Sequence, residues 1–271
     1  AEKWDVEDGG KTYVFHLKHG IKFHNGREVT AEDFKWTWER NCSPDLASAT
    51  IDSYLGDVIG VKEMKAGTAK SISGVTVVDP YTLKVQIDKP RPYFLGKLTY
   101  IVSAVMAKEA LDGGKEISGV EQMVGTGPYK ATKYVPDQLV TLTANADYHD
   151  GKPPIDGIER PVILDSVTRL NKFKSGEVDM CLIQRQDVDG LKADTKFASM
   201  LHYYARPSIF YIGMNSTGRD YAPFKNRDVR RAIAMAIDRE RITKQVLGDV
   251  NEPAYTVIPP GVPGHRDRRV R

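Results

Sequence analysis

Long apolar runs are missing from this sequence. Nothing in its 271 residues approaches the roughly 20 consecutive apolar side chains that a membrane helix needs, so no membrane span is expected. Cysteine is scarce. Cys42 and Cys181 lie far apart and match no metal-ligand spacing. Two readings of them stay open: two small buried hydrophobes, or a single disulfide if the chain is exported. Charge of one sign is also in short supply. A net charge of +3 gives no electrostatic case for nucleic acid or for an anionic membrane surface, and no nucleic-acid partner is expected. The first residues, Ala1-Glu2-Lys3-Trp4-Asp5, show no charged-then-apolar leader pattern, which leaves the compartment open. Catalytic signatures are absent as well. There is no Gly-x-Ser-x-Gly elbow and no His-Glu-x-x-His, and no spacing that sets two carboxylates across one bond. No catalytic residue, metal ligand or cofactor is therefore assigned, and an enzyme is carried only as the alternative class.

With 41% hydrophobic and 28% charged residues, the chain has the composition of an ordinary globular protein with a core. Lys11–Lys18 alternates and is rich in β-branched and aromatic residues, so it reads as a strand. Asn25-Gly26 is a turn signal. Thr30 then opens a helix, accepting from first-turn N–H groups, with Glu32 and Asp33 at its positive end and Phe34, Trp36 and Trp38 on its apolar side up to Arg40. Ser73–Val78 and Thr82–Ile87 form a hairpin about Asp79-Pro80-Tyr81, where Pro80 presets φ for a turn. Tyr93–Tyr100 reads as a short apolar helix or a buried turn.

Beyond Gly125-Thr126-Gly127-Pro128-Tyr129, strands are expected at Tyr129–Tyr134, Leu139–Ala144 and Ile158–Leu164, with a polar loop over Asn145–Pro154. A helix follows at Ser166–Lys174, with Val167, Leu170 and Phe173 on one face and Gly176 as its stop. Further strands are expected at Val178–Ile183, Met200–Ala205 and Ser208–Met214. Asn226 caps a helix to Ile237, and Asp238 opens another to about Leu247. Strands and helices mix without strict βαβ alternation, which points to an α/β or α+β arrangement of sheets.

Two groups invite a chemical reading. Gly125-Thr126-Gly127 lacks the third glycine and the following helix of a dinucleotide loop, so it reads as a tight crossing between two parts of the protein. His16, His19 and His24 cluster in sequence, but positions 16 and 19 of a strand face opposite sides and do not share a metal easily. The basic stretch Lys225–Arg231 reads as a helix start. The Arg-rich tail, His265–Arg271, has nothing with which to fold.

At the level of whole segments, Tyr13–Arg40 resembles the signature region of the family 5 solute-binding proteins, the dipeptide, oligopeptide and nickel receptors of ABC importers. Gly20, Phe23, His24, Gly26, Val29, Thr30, Ala31 and Asp33 stand where that pattern wants them. Four more blocks agree in order: Asp79–Phe94, Gly125–Tyr129, Asn145–Asp179 and Asn215–Asp238. The resemblance implies an α/β, periplasmic-binding-protein-like fold (type II, cluster C-like) with two lobes and an extra accessory domain, here incomplete. Residues 1–124 would form the accessory domain of the first lobe, 125–205 part of the first lobe, and 206–264 the start of the second, with 265–271 an atypical Arg-rich tail. Family members are longer at both ends, so the chain reads as a central slice.

The same resemblance implies a binding function. The solute is a di- or oligopeptide held by its backbone between two closing lobes and delivered to ABC permease subunits. Nickel chelate, haem and oligosaccharide remain open, because one fold serves all of them. Tyr54 matches a position where oligopeptide receptors place a pocket-lining tyrosine, and packing within the accessory domain is the competing reading. Arg206 and Phe210 fall at the lobe crossing, near the cleft floor. Gly125 and Gly127 are read as structural. The implied location is periplasmic or extracellular, with a lipid anchor on the outer face of the cell membrane as one form of it. A slice with one lobe and a stub is expected to bind solute weakly and to self-associate through exposed sheet edges.

Overall fold

A computed structural model describes residues 1–46, 48–111, 117–204, 206–217 and 222–266. It divides into two compact units, Ala1–Val162 and Ile163–Arg271. The first unit holds two antiparallel sheets. Strands β1 (Lys3–Glu7), β2 (Thr12–His16), β3 (Val75–Asp79) and β4 (Thr82–Gln86) lie in the order β1-β2-β4-β3. In register, Tyr13 faces Val85 and Phe15 faces Leu83. β1 had no expectation from sequence: all five of its residues are exposed, so its alternation carries no burial contrast to read. Strands β5 (Tyr129–Val135), β6 (Leu139–Ala144) and β7 (Gly157–Pro161) form the second sheet, in sequence order.

Helix α1 (Ala31–Cys42) packs on the four-stranded sheet and forms as its sequence requires. Thr30 caps it in a capping box with Asp33, the Asp33 carboxylate accepting from the Thr30 N–H at 2.8 Å. Of its aromatics, Trp38 is buried while Phe34 and Trp36 are half-buried, and the indole of Trp38 donates to the Ser103 carbonyl at 3.2 Å. Short helices α2 (Ile51–Tyr54), α3 (Val61–Lys65) and α4 (Phe94–Lys97) close the same core. That core gathers Tyr13, Leu55, Val61, Leu83, Val85, Ile87 and Phe94 around Trp38. At the hairpin turn, the Tyr81 N–H returns to the Asp79 side chain at 2.8 Å, the local bond that makes aspartate a turn residue.

In the second unit, α5 (Ser166–Ser175) is capped by Asp165, which accepts from the Thr168 N–H, and stopped by Gly176 in the left-handed conformation. Leu170 and Phe173 face a small core with α6 (Val188–Ala193) and Phe197, whereas Val167 points to solvent. Helix α7 (Ala222–Lys225) precedes α8 (Arg227–Ala236), which starts at its Asn226 cap. α9 (Arg239–Arg241) runs into a π-helical turn over Ile242–Val246.

The strands expected at Val178–Ile183, Met200–Ala205 and Ser208–Met214 are not formed; Ala205 lies outside the described residues. A strand is a property of a pair, and periodicity reports only the preference of one member. Around 180–183 the pleat itself is present, since Cys181 and Ile183 turn to the core while Met180 and Leu182 are 88% and 74% exposed. Among the described residues it has no ladder partner. Instead the Arg169 guanidinium donates to the carbonyls of Leu182 at 3.0 Å and Ile163 at 2.7 Å.

Both cysteines are free thiols. Burial pushes the Cys42 thiol up to about 12, and Cys181, half-buried, is raised by burial too. A disulfide-exchange reagent at pH 8 is expected to modify Cys181 at least about tenfold faster than Cys42, because attack needs an accessible thiolate. Equal rates in the folded protein would contradict the placement of Cys42 in the core.

Candidate functional site

Tyr54 ends α2 and stacks on Tyr100, with ring centroids 3.7 Å apart and planes within 4°. Beside this pair stands a charged cluster. Asp57 meets Lys97 Nζ at 2.5 Å and Arg91 Nε at 3.1 Å, and Arg91 also donates to the Tyr93 hydroxyl at 3.0 Å. Lys97 Nζ lies over the Tyr93 ring at 5.3 Å. Residues 93, 97 and 100 are spaced at helical intervals, so α4 and its flanking residues carry one side of the array, while Tyr54 and Asp57 come from α2 and the turn after it. Nothing in the sequence pointed to Tyr100, because a stack between residues 46 apart leaves no local pattern. Packing within this unit already engages one face of Tyr54, which is half-buried.

Arg206 and Phe210 belong to the second unit, in a segment that is neither helix nor strand, where the Ser208 N–H turns back to the Arg206 carbonyl at 2.7 Å. The Arg206 side chain is exposed and Phe210 is 91% exposed. A phenyl ring held in water forgoes about 2 kcal/mol of burial. Tyr54 is thus not in the same unit as Arg206 and Phe210.

The three histidines have separate tasks. The His16 ring lies 2.8 Å from Asp5 Oδ2, and His19 packs on Tyr81 at 3.7 Å between centroids. His24 grips the glycine-rich crossing. Its N–H donates to Gly125 O at 2.8 Å, its Nε2 lies 3.0 Å from Gly127 O, and its Nδ1 accepts from Gly125 N–H at 3.4 Å. A carbonyl can only accept, so the proton sits on Nε2. Buried Asn145 completes the grip, donating from Nδ2 to Gly127 O at 3.2 Å and from its N–H to Pro128 O at 2.8 Å.

A second network holds the loop before α1. The Arg27 guanidinium donates to both oxygens of Asp33, at 2.7 and 3.0 Å, and to both of Glu109, at 2.7 and 3.0 Å, while lying over the Phe23 ring at 4.8 Å. Asp33 raises the Arg27 pKa further and keeps it charged. Arg27 in turn holds the Glu109 carboxyl down at about 2, from its ordinary 4.5. Glu109 therefore adds stability that is fully present above pH 4.5 and fades as pH falls through about 2. Its side chain is 44% exposed, so screening limits the contribution to about 1 kcal/mol. Glu109→Gln is expected to lower unfolding free energy by about that much at pH 7, with the difference closing toward pH 2. A difference independent of pH would show that packing, not charge, holds the loop.

Among the described residues no group of three His, Cys, Asp or Glu side chains gathers to hold a metal, and no helix is long and apolar enough to cross a membrane.

The family described as bacterial extracellular solute-binding proteins, family 5 Middle, matches residues 1–269. Among curated relatives, the probable deoxycholate-binding periplasmic protein YgiS of Escherichia coli is 32% identical over 273 residues, 97% of this chain and 49% of that protein. The periplasmic oligopeptide-binding protein OppA of E. coli is 30% identical, over 97% of this chain and 49% of its own length. Of solved structures, the E. coli murein tripeptide-binding protein MppA superimposes with a TM-score of 0.82 at 25% identity, over 98% of this chain and 52% of that one. The chain spans about half the length of the curated relatives it matches. The likeness shows the expected α/β periplasmic-binding-protein fold. A family match over all but two residues, five ordered sequence blocks and a shared fold lead to one conclusion: this chain belongs to the bacterial extracellular solute-binding proteins of family 5.

Proposed function

We propose that the chain is part of the receptor of an ABC importer, one that captures di- or oligopeptides and delivers them to membrane permease subunits without altering them. The family match across residues 1–269 carries this reading. Its relatives include proteins named for dipeptides in Bacillus subtilis, at 29% identity, and for di- and tripeptides in Pseudomonas aeruginosa, at 34%. The location that goes with it is the periplasm or the outer face of the cell membrane, with lipid anchoring as its membrane-attached form. On the same reading, residues 1–124 are the accessory domain, 125–205 part of the first lobe and 206–264 the start of the second. Tyr54, Arg206 and Phe210 are its solute contacts. Tyr54 would offer an aromatic edge, Phe210 an apolar surface, and Arg206 a cation for a peptide carboxylate. The exposed Met180, Leu182 and Phe210 favour self-association of the chain on its own.

Relatives named for deoxycholate and haem keep a second reading alive, a bulky amphipathic solute. Native mass spectrometry separates the two. The protein is mixed in turn with trialanine, trilysine, deoxycholate and haem, then denatured. Tripeptide adducts that vanish on denaturation, and that weaken in Phe210→Ala, support the peptide reading. Adducts with haem or deoxycholate alone would replace it. Phe210 suits the test because truncating an exposed ring changes stability by less than about 0.5 kcal/mol.

A further inference from the structure

We propose that the crossing Gly125–Pro128 is a hinge between the two sheets of the first unit, held closed by a clasp of His24 and Asn145. The glycines are the first observation. Neither has positive φ, and a Cβ built on Gly125 or Gly127 meets nothing closer than 4.0 Å. The closed arrangement therefore does not need glycine at either place. What two glycines add is access to other backbone conformations.

The cores are the second observation. The clusters around Trp38 and around Phe23 take no residue between 125 and 162. β5, β6 and β7 contribute no fully buried side chain, and β7 is exposed throughout. The three-stranded sheet is thus not locked to the rest of the unit by a shared core, the usual source of rigidity. It is joined to it by the polar grip of His24 on Gly125 and Gly127, and by a loose ion pair of Lys18 with Asp150 at 3.7 Å. Asn145, 3% exposed, shares the Gly127 carbonyl with His24 and also donates to Pro128 O, tying the end of the crossing to the start of the loop after β6.

The third observation is space. A cavity of about 220 Å³ lies at this junction, walled by Leu17, Ile21, Val29 and Phe34 on one side and by Thr126 and His149 on the other. A joint with room beside it, freedom in its backbone and a few directional bonds across it can swing once those bonds are released.

Spin labels on Glu7→Cys in β1 and Glu159→Cys in β7, with Cys181→Ser and Cys42 left buried, report the angle between the sheets by pulsed electron resonance. The parent protein is expected to give one narrow distance distribution. His24→Ala and Asn145→Ala should each widen it at least twofold while circular dichroism stays native. Adding Gly125→Ala and Gly127→Ala to the His24→Ala protein should narrow it again, because the pivot loses its freedom. A distribution as narrow as the parent in both release variants would overturn the hinge. So would widening that survives replacement of the glycines. Loss of the fold on both releases would make the clasp part of one rigid body, which also overturns it.

Discussion

Replacing Phe94 by alanine is expected to cost the first unit about 4 kcal/mol, the range for emptying a buried aromatic site. Phe94 is wholly buried, and its ring lies 4.9 Å from that of Tyr13, the strand residue at the centre of the four-stranded sheet. Truncation removes the transfer free energy of the ring and leaves a cavity. Around it, Tyr13 is held by ladder pairing and Leu55 by helix α2 and its turn, so neither can collapse into the space. The measurement is urea unfolding followed by tryptophan fluorescence. All three tryptophans, Trp4, Trp36 and Trp38, lie in the first unit, so this signal reports that unit selectively. A midpoint within experimental error of the parent would show that α4 does not close this core.

Gly60→Ala is expected to cost about 3 kcal/mol, from backbone strain and overpacking together. Gly60 has φ of +91°, in the left-handed region that disfavours a side chain, and it stands immediately before α3. A Cβ there would lie 2.5 Å from the backbone nitrogen of Ser73 and 2.7 Å from its hydroxyl. Main chain, not a yielding side-chain tip, receives the clash. The neighbours Val58, Val61 and Ile72 are all in the core, so relief must come from moving buried elements. Gly96→Ala is the matched control. It lies in α4 with nothing within 4 Å of its added Cβ, and is expected to leave stability unchanged or raise it by about 0.5 kcal/mol. Equal effects at the two positions would mean that chain entropy, not the close approach at Ser73, governs both.

Local chemistry made much of the first unit legible in its sequence. The α1 boundary followed from Thr30 and Asp33, the hairpin from Asp79-Pro80-Tyr81, and β5 and β6 from their alternation after the crossing. Each depends on neighbours within a few residues. The second unit was less legible where apolar runs meet no partner. Leu182, Tyr204 and Phe210 have the composition of strand residues, yet they stand exposed beside no ladder. The candidate contacts show the same division. Ordered blocks carried the family and so pointed to Tyr54, Arg206 and Phe210. The stack of Tyr54 on Tyr100, and the Asp57 cluster beside it, join positions dozens of residues apart.

The sequence by itself determined the family, the mixture of sheets and helices, the helix starts, the turns, and the reading of the glycine-rich crossing as something other than a nucleotide loop. Those depend on side-chain chemistry acting over one or two turns of chain. The tertiary structure alone decided which strands found partners, that His24 and Asn145 grip the crossing while His16 and His19 do other work, and that Arg27 sits between Asp33 and Glu109. The reason is physical: such contacts close loops of up to about a hundred residues, and their geometry exists only after the chain has folded back on itself.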